Sequence, residues 1–571
     1  MPLKASPPPA FAVVPNRSAM TTPASVSHPA GHARSRGRLR LMDLDTDTLR
    51  HIFDELLRQK CLHRLSATCR SLRRATLPIL FRYCEITLVR WPIVAHAFPP
   101  SSLWPFFQHV SLVDSCDECI YSLESDEPIA VELFAPGFFT DALSSMPLLT
   151  ELSFYSPYPS VRRFPRPTIN SILALPQLRR LRIRGPLFDY EVKDRSLPDS
   201  ELQSVPLTSL VYMPWDVRDY PRWHVGEQEV LAAVVKGSVD SLETLFIPNE
   251  TAPLSVMHHS HWPNLRQLRL RGEVRPTQGR DAVVVPYAAI LSNMPRLQSL
   301  FLEFFIPHGS RVPAIWSSGY EPACSIPWPD LDYLALSHPR VDDQLYRHLP
   351  STLRRLALCS SPYHHHFLLG SLGPSRAYRE EWQDLLLTSS ELLRILRQCA
   401  TPGLTYLSMQ FFADHAEMEI LQFLSRAFPC LEALTVHIYR PDCEHKDIPA
   451  EAIGGALAPL ARLRTLRMHL GFKGVPGRIG YRGVTHQYFR VPAHDVLEAA
   501  VDNAARVLAN VLSPSVETMD LFVPTEARPY EWARFVLVRR DTPDRGRLRD
   551  PPCVKRELEY AHGFLEVYDW R

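Results

Sequence analysis

Two short clusters in this 571-residue chain carry side chains that bind metals. Cys116-Asp117-Glu118-Cys119 has zinc-knuckle spacing, but no second Cys or His pair follows at the spacing of a structural site, so a loop with two thiols is expected. His364-His365-His366 falls in a long interval between repeats and reads as a solvated insertion. A Gly-rich phosphate loop, a G-x-S-x-G elbow and an H-E-x-x-H helix are all missing. The expectation is therefore a protein that is not an enzyme, with no cofactor and no metal. The remaining side chains with chemistry are cations at alternate positions: Arg180, Arg182 and Arg184, then Arg269 and Arg271, then Arg355, Arg467 and His469. Aromatic residues interleave at Tyr155, Phe246, Phe301, Tyr333, Tyr406 and Phe522. Guanidinium forks suit carboxylates and phosphates, and arginine with aromatics is the composition of protein–protein hot spots.

Alternate positions share a face only on a strand, so strands must carry them. A pattern of apolar-x-x-apolar-x-apolar supplies those strands. It begins at Leu149, Leu178, Leu207, Leu242, Leu265, Leu297, Leu331, Leu353, Leu404, Leu431, Leu463 and Val516, with a fainter copy at Phe107. From Leu149 onward starts lie 22 to 35 residues apart, apart from two intervals of 51 and 53 that hold either a weak repeat or an insertion. Pro147, Pro176, Pro263, Pro295, Pro329 and Pro429 stand just ahead of a start and end the preceding element. Helical stretches are expected between strands at 391–399, 414–428 and 495–512.

These runs resemble leucine-rich repeats, whose unit is a short strand and a returning helix or turn. The resemblance implies an α/β solenoid: a curved parallel sheet with convex helices, irregular in repeat length. Residues between the leucines then project from the concave face. Strands stacking at about 4.8 Å would give an arc of roughly 55 Å for a dozen of them. The client-binding residues expected on this face are Arg180, Arg182, Arg184, Arg269, Arg271, Phe301, Tyr333 and Tyr406. An acidic or phosphorylated client segment is one reading; the other is that exposed strand positions are polar in any case.

The N-terminal part is different. Leu49, Ile52, Phe53, Leu56 and Leu57 fall at i, i+3, i+4, i+7 and i+8, one wide stripe on a helix. Asp45, Thr46 and Asp47 supply capping oxygens ahead of it. Leu62, Leu65, Cys69 and Leu72 repeat the stripe, and Leu77–Phe81 leads into an alternating run at 83–88. Three helices in so few residues bury little surface alone and need a partner or a neighbouring domain. The strings Leu44–Phe53, Leu65–Arg73 and Leu77–Arg82 resemble an F-box, in particular that of fungal F-box proteins with C-terminal leucine-rich repeats. Asp45 stands where the family usually has proline, and Leu72 where it usually has tryptophan. The resemblance implies docking on a Skp-type adaptor, and through it on a cullin–RING ubiquitin ligase, by way of Leu44, Leu49, Ile52, Phe53 and Leu56. Leu65, Cys69 and Leu72 would complete that surface. A ligase-independent scaffold, in which the helices only cap the array, stays open.

Bulk properties agree with an interaction protein. Net charge is only +2, which argues against a dedicated nucleic-acid or membrane-surface partner and leaves an unknown protein client. The 53 prolines break long helices into short elements. Eleven scattered cysteines, no secretory signal and no apolar run of about 18 residues fit reduced thiols in a cytoplasmic or nuclear protein. The expected organisation is a disordered tail over 1–40, an F-box over 41–88, a solenoid over 89–538 and a charged segment over 539–571.

Overall fold

The structure is a computed structural model. It describes residues 41–88, 98–114, 138–155, 163–164, 166–185, 187–188, 206–214, 224–274, 287–306, 311–317, 319, 328–358, 386–440, 448–472, 494–523, 532–538 and 553–557. The expected tail over 1–40, Cys116, Cys119 and His364–His366 lie outside these residues. The chain divides into two compact units, at Thr76 and Leu77.

The first unit holds a short 3-10 turn at Leu41–Asp43, then α1 (Thr46–Arg58), α2 (Leu62–Ser66) and the start of α3 (Arg70–Leu80). Asp45 caps α1: its carboxylate accepts from the Thr48 amide at 2.9 Å and the Thr48 hydroxyl at 2.6 Å. Those bonds hold the Asp45 carboxyl below its ordinary range. Asp45, one of the two departures from the motif that the segment resembles, thus serves as the helix cap. At the other end Lys60 takes φ 56, the left-handed conformation usual for glycine. The Cys61 amide then reaches the Leu56 carbonyl at 2.8 Å and the Lys60 amide reaches that of Leu57 at 2.9 Å, which ends the helix.

The second unit is built on a sixteen-stranded sheet among the described residues. Its strands are stacked in chain order, parallel from Tyr83–Leu88 through Thr518–Phe522. Trp532–Val538 and Cys553–Glu557 then add antiparallel at one edge. Tyr83–Leu88, grouped with the helices in the sequence reading, pairs with His109–Asp114 and opens the sheet. Cys553–Glu557, placed in the charged C-terminal segment, is its last strand.

The strand register is that of the leucine pattern. Val110, Leu152, Leu181, Leu210, Leu245, Leu268, Leu300, Leu334, Leu356, Leu407, Leu434, Leu466 and Met519 are successive cross-strand neighbours. All are buried in one continuous core. The first leucine of each run sits at a corner, also in the core. The residue after it offers one carbonyl to two amides of the following repeat. Thr150 O accepts from Arg179 and Arg180 at 2.9 and 3.0 Å, and Arg464 O from Glu517 and Thr518 at 2.9 and 3.1 Å, with the same bond in each repeat between. These corners satisfy the backbone where the strand has not yet begun. Several prolines occupy the second position of the turn that precedes the corner. The Leu149, Leu178, Leu297 and Leu331 amides close back on the residues before Pro147, Pro176, Pro295 and Pro329 at 3.1 to 3.2 Å.

Among the described residues neither long interval adds a strand to the sheet. Arg355–Leu358 pairs directly with Tyr406–Phe412, and Thr465–His469 with Thr518–Phe522. Helices Ser389–Leu396, Glu417–Ala427, Ala450–Leu457 and His494–Val511 pack side by side in that order. Thr388 and Glu391 form a full capping box at the first of them, a signal missed in the sequence reading. Gly454 lets the last two approach, since a Cβ there would lie 3.2 Å from Val511 Cβ.

Candidate interaction surfaces

On α1 the apolar stripe is divided. Phe53 is enclosed, at 3% exposure, and Leu62 of α2 is buried too. Leu44, Leu49, Ile52, Leu56 and Leu57 are half-buried, as are Leu65 and Leu72, and Cys69 is exposed. The expected docking role of Phe53 therefore needs correction. A ring already covered within its own chain has no surface to give a partner, whereas Ile52 and Leu56 keep theirs.

On the sheet, residues between the leucines face away from the main core. Three zones follow one another along this second face. In the first, Glu151 gathers the bases. Arg180 Nε lies 2.8 Å from one of its oxygens and Arg182 Nε 3.4 Å from the other, while His109 Nδ1 is 2.9 Å away. Strand register explains the meeting, because His109, Glu151 and Arg180 are direct cross-strand neighbours. Arg184 is half-buried, and burial lowers its pKa, helped by repulsion from Arg182 and Arg269.

In the middle zone Phe301, Ala335 and Ala357 form a small apolar cluster of their own, with Tyr333 packed on it. The Tyr333 ring lies 4.8 Å from Phe301 and 6.4 Å from Tyr406, both edge to face. Arg355 sits 4.7 Å above Tyr333 and pairs with Asp332 at 2.7 Å. Burial pushes the Tyr333 phenol above its usual pKa, so it stays a neutral donor. Beside this cluster Arg269 is 1% exposed, where an accessible cation was expected. Its Nε and Nη2 donate to Glu303 at 3.0 and 2.6 Å, and its guanidinium lies 5.7 Å from the Phe301 centroid. Arg271 is half-buried. Of the residues expected on this face, Arg269, Phe301, Tyr333 and Tyr406 are thus brought together, and Arg180 and Arg182 form a separate group around Glu151. Glu151 and Glu303 were missed. Aligning the leucines of adjacent repeats puts Glu151 beside Arg180 and Glu303 beside Arg271, so the signal lay in the columns.

In the third zone His437 and His469 are cross-strand neighbours, both buried. Tyr439 and Phe522 lie 4.8 and 5.2 Å from the His469 ring, and Trp532 lies 5.7 Å from His437. Burial, with a further push from Arg440, lowers the His469 pKa to about 3. A histidine buried neutral contributes stability above its unfolded pKa of about 6.5, and that contribution is lost as pH falls toward 3. Stability should therefore decline from pH 6.5 downward by up to about 1.4 kcal/mol per pH unit, and His469→Phe should flatten the decline. Denaturant midpoints of both proteins between pH 7 and 4 check this; parallel curves would show that His469 does not carry the effect.

Five cysteines among the described residues, Cys61, Cys69, Cys84, Cys399 and Cys430, are free thiols. Burial pushes Cys84 up to about 11 and Cys399 up to about 12, so neither is a nucleophile near neutral pH. Among the described residues no group of three or more His, Cys, Asp or Glu is placed to hold a metal ion, and no helix is long and apolar enough to cross a membrane.

No protein-family model matches the chain, and no curated protein sequence matches it. Among solved structures it is similar to the leucine-rich repeat-containing protein LegL7 from Legionella pneumophila, at 10% identity over 79% of this chain and 92% of that one, with a TM-score of 0.27. The repeat architecture rests on the chain's own register: a leucine-rich-repeat-like solenoid in which a single apolar column runs through the parallel strands.

Proposed function

We propose that this chain is a recruitment scaffold. Its repeat array binds a protein client, and its N-terminal helices dock on the Skp-type adaptor of a cullin–RING ubiquitin ligase in the cytoplasm or nucleus. The supporting observation is the half-covered stripe on α1. Leu49, Ile52, Leu56 and Leu57 recur at helical spacing, and none is buried. Apolar side chains left in part to water on an amphipathic helix are the surface a groove in another subunit would take. On the sheet, the Phe301, Tyr333 and Tyr406 cluster with Arg355 above it has the composition of a client hot spot.

The test is recovery of the adaptor by full-length protein. Ile52→Ala with Leu56→Ala should reduce it about 30-fold or more, since hot-spot truncations reach about 2 kcal/mol or more. The thermal transition should hardly move. Recovery equal to wild type would sink the docking surface. A second reading, a ligase-independent scaffold, is favoured by the enclosure of Phe53, which takes one of the family's docking positions out of reach. It predicts that folded wild-type protein recovers no adaptor at all.

A further inference from the structure

The strand Arg180–Gly185 places Arg180, Arg182 and Arg184 on one face at i, i+2 and i+4, about 7 Å apart in sequence along the strand. Among the described residues Glu151 is the carboxylate that meets this ladder, and it engages Arg180 and Arg182. Among those residues three arginines against one glutamate leave two positive charges. Arg182 Nε lies within ion-pair distance of Glu151 but makes no hydrogen bond from its Nε. Arg184 makes no hydrogen bond or ion pair among the described residues; its electrostatic neighbours are Arg182, Arg269 and Tyr155. Glu85, in the same row as Arg182, stands three strands away, about 14 Å. A half-buried guanidinium beside another guanidinium is destabilised unless an anion joins it.

We infer that the space between Arg182 and Arg184 is a subsite for a phosphorylated side chain of the protein client. A phosphoryl group carries about −1.5 to −2 charges at pH 7 and three acceptor oxygens, which matches the residual charge and lets one group bridge two forks. A single carboxylate would neutralise half of it, and Glu151 already fills that role. The flanks suit a peptide: Tyr155, 40% exposed, stands beside Arg184 on one neighbouring strand and Met213 on the other, with buried Val211 beside Arg182. Those side chains give the residues around the phosphate apolar contact. A nucleic acid would ask for a basic track longer than this strand, and the chain's net charge is only +2. This subsite rests on the reading of the sheet face as the client surface and is independent of the adaptor.

The experiment uses the full-length protein and a degenerate phosphoserine/phosphothreonine peptide library, the same library after phosphatase treatment, and a labelled random oligonucleotide. Phosphorylated peptides should be retained, and pooled affinity should fall at least about tenfold on dephosphorylation. Arg184→Gln should lose a similar factor, Arg184→Lys less, and millimolar inorganic phosphate should release the bound peptides. Should Arg184→Gln disturb the thermal transition, Arg182→Gln and phosphate competition decide instead. Equal retention of the two libraries, full binding by Arg184→Gln, or retention of the oligonucleotide alone overturns the subsite. Arg184→Gln should still recover the adaptor as wild type does, which separates failure here from failure of the docking surface.

Discussion

Glu303→Gln is expected to destabilise the repeat array by about 3–5 kcal/mol, the usual effect of breaking a buried ion pair from one side. Two guanidinium nitrogens of Arg269 address one Glu303 oxygen, in a place where Arg269 is 1% and Glu303 7% exposed. The substitution keeps the shape of the side chain and removes its charge, so the buried cation would face a neutral amide. Replacing both partners, as Arg269→Met with Glu303→Leu, should be close to neutral, because desolvation of the two charges offsets much of their attraction. Urea titration of wild type, the single variant and the double variant separates the two effects. A single variant within about 0.5 kcal/mol of wild type would mean that the pair is not enclosed in solution. The result also bears on recognition, since an arginine enclosed against Glu303 would support the sheet face from beneath.

Phe53→Ala should destabilise the N-terminal helical unit by about 3–5 kcal/mol, as removal of a buried phenylalanine ring usually does. So small a unit has little stability to spare. Amide protection in α1 should collapse in hydrogen exchange, while the strands of the array keep theirs. Adaptor recovery should also disappear, but through loss of the helix and not through loss of a contact. The Ile52 and Leu56 truncations avoid that confusion. Unchanged protection in α1 would show that the Phe53 ring is dispensable to the unit, and would return it to the docking surface.

The strands were legible because their signal is local. A period of two with a corner leucine is written within six residues, and it recurs wherever the chain must pass through the core. Stacking then carries over the same register, so aligning Leu152 with Leu181 aligned Glu151 with Arg180. The two long intervals were ambiguous for the opposite reason: a stretch without a strand leaves no pattern, and the direct pairings of Arg355–Leu358 with Tyr406–Phe412 and of Thr465–His469 with Thr518–Phe522 leave no strand of the sheet between them among the described residues. Cys553–Glu557 was hidden by its charges. An edge strand paired on one side tolerates Lys555, Arg556 and Glu557, and it lacks the leucine column of the others.

The amino-acid order alone determined the array, its register and the amphipathic first helix, because periodicity and capping are properties of neighbours in sequence. Tertiary structure decided which charges are spent and which are available. Arg182, Arg184 and Arg269 are the same residue at the same kind of strand position. Yet one meets Glu151, one meets no carboxylate among the described residues, and one is enclosed against Glu303. Burial and pairing sum over atoms that lie tens of residues apart along the chain, so the surroundings of an arginine are set by what folds against it and not by its own place in the repeat.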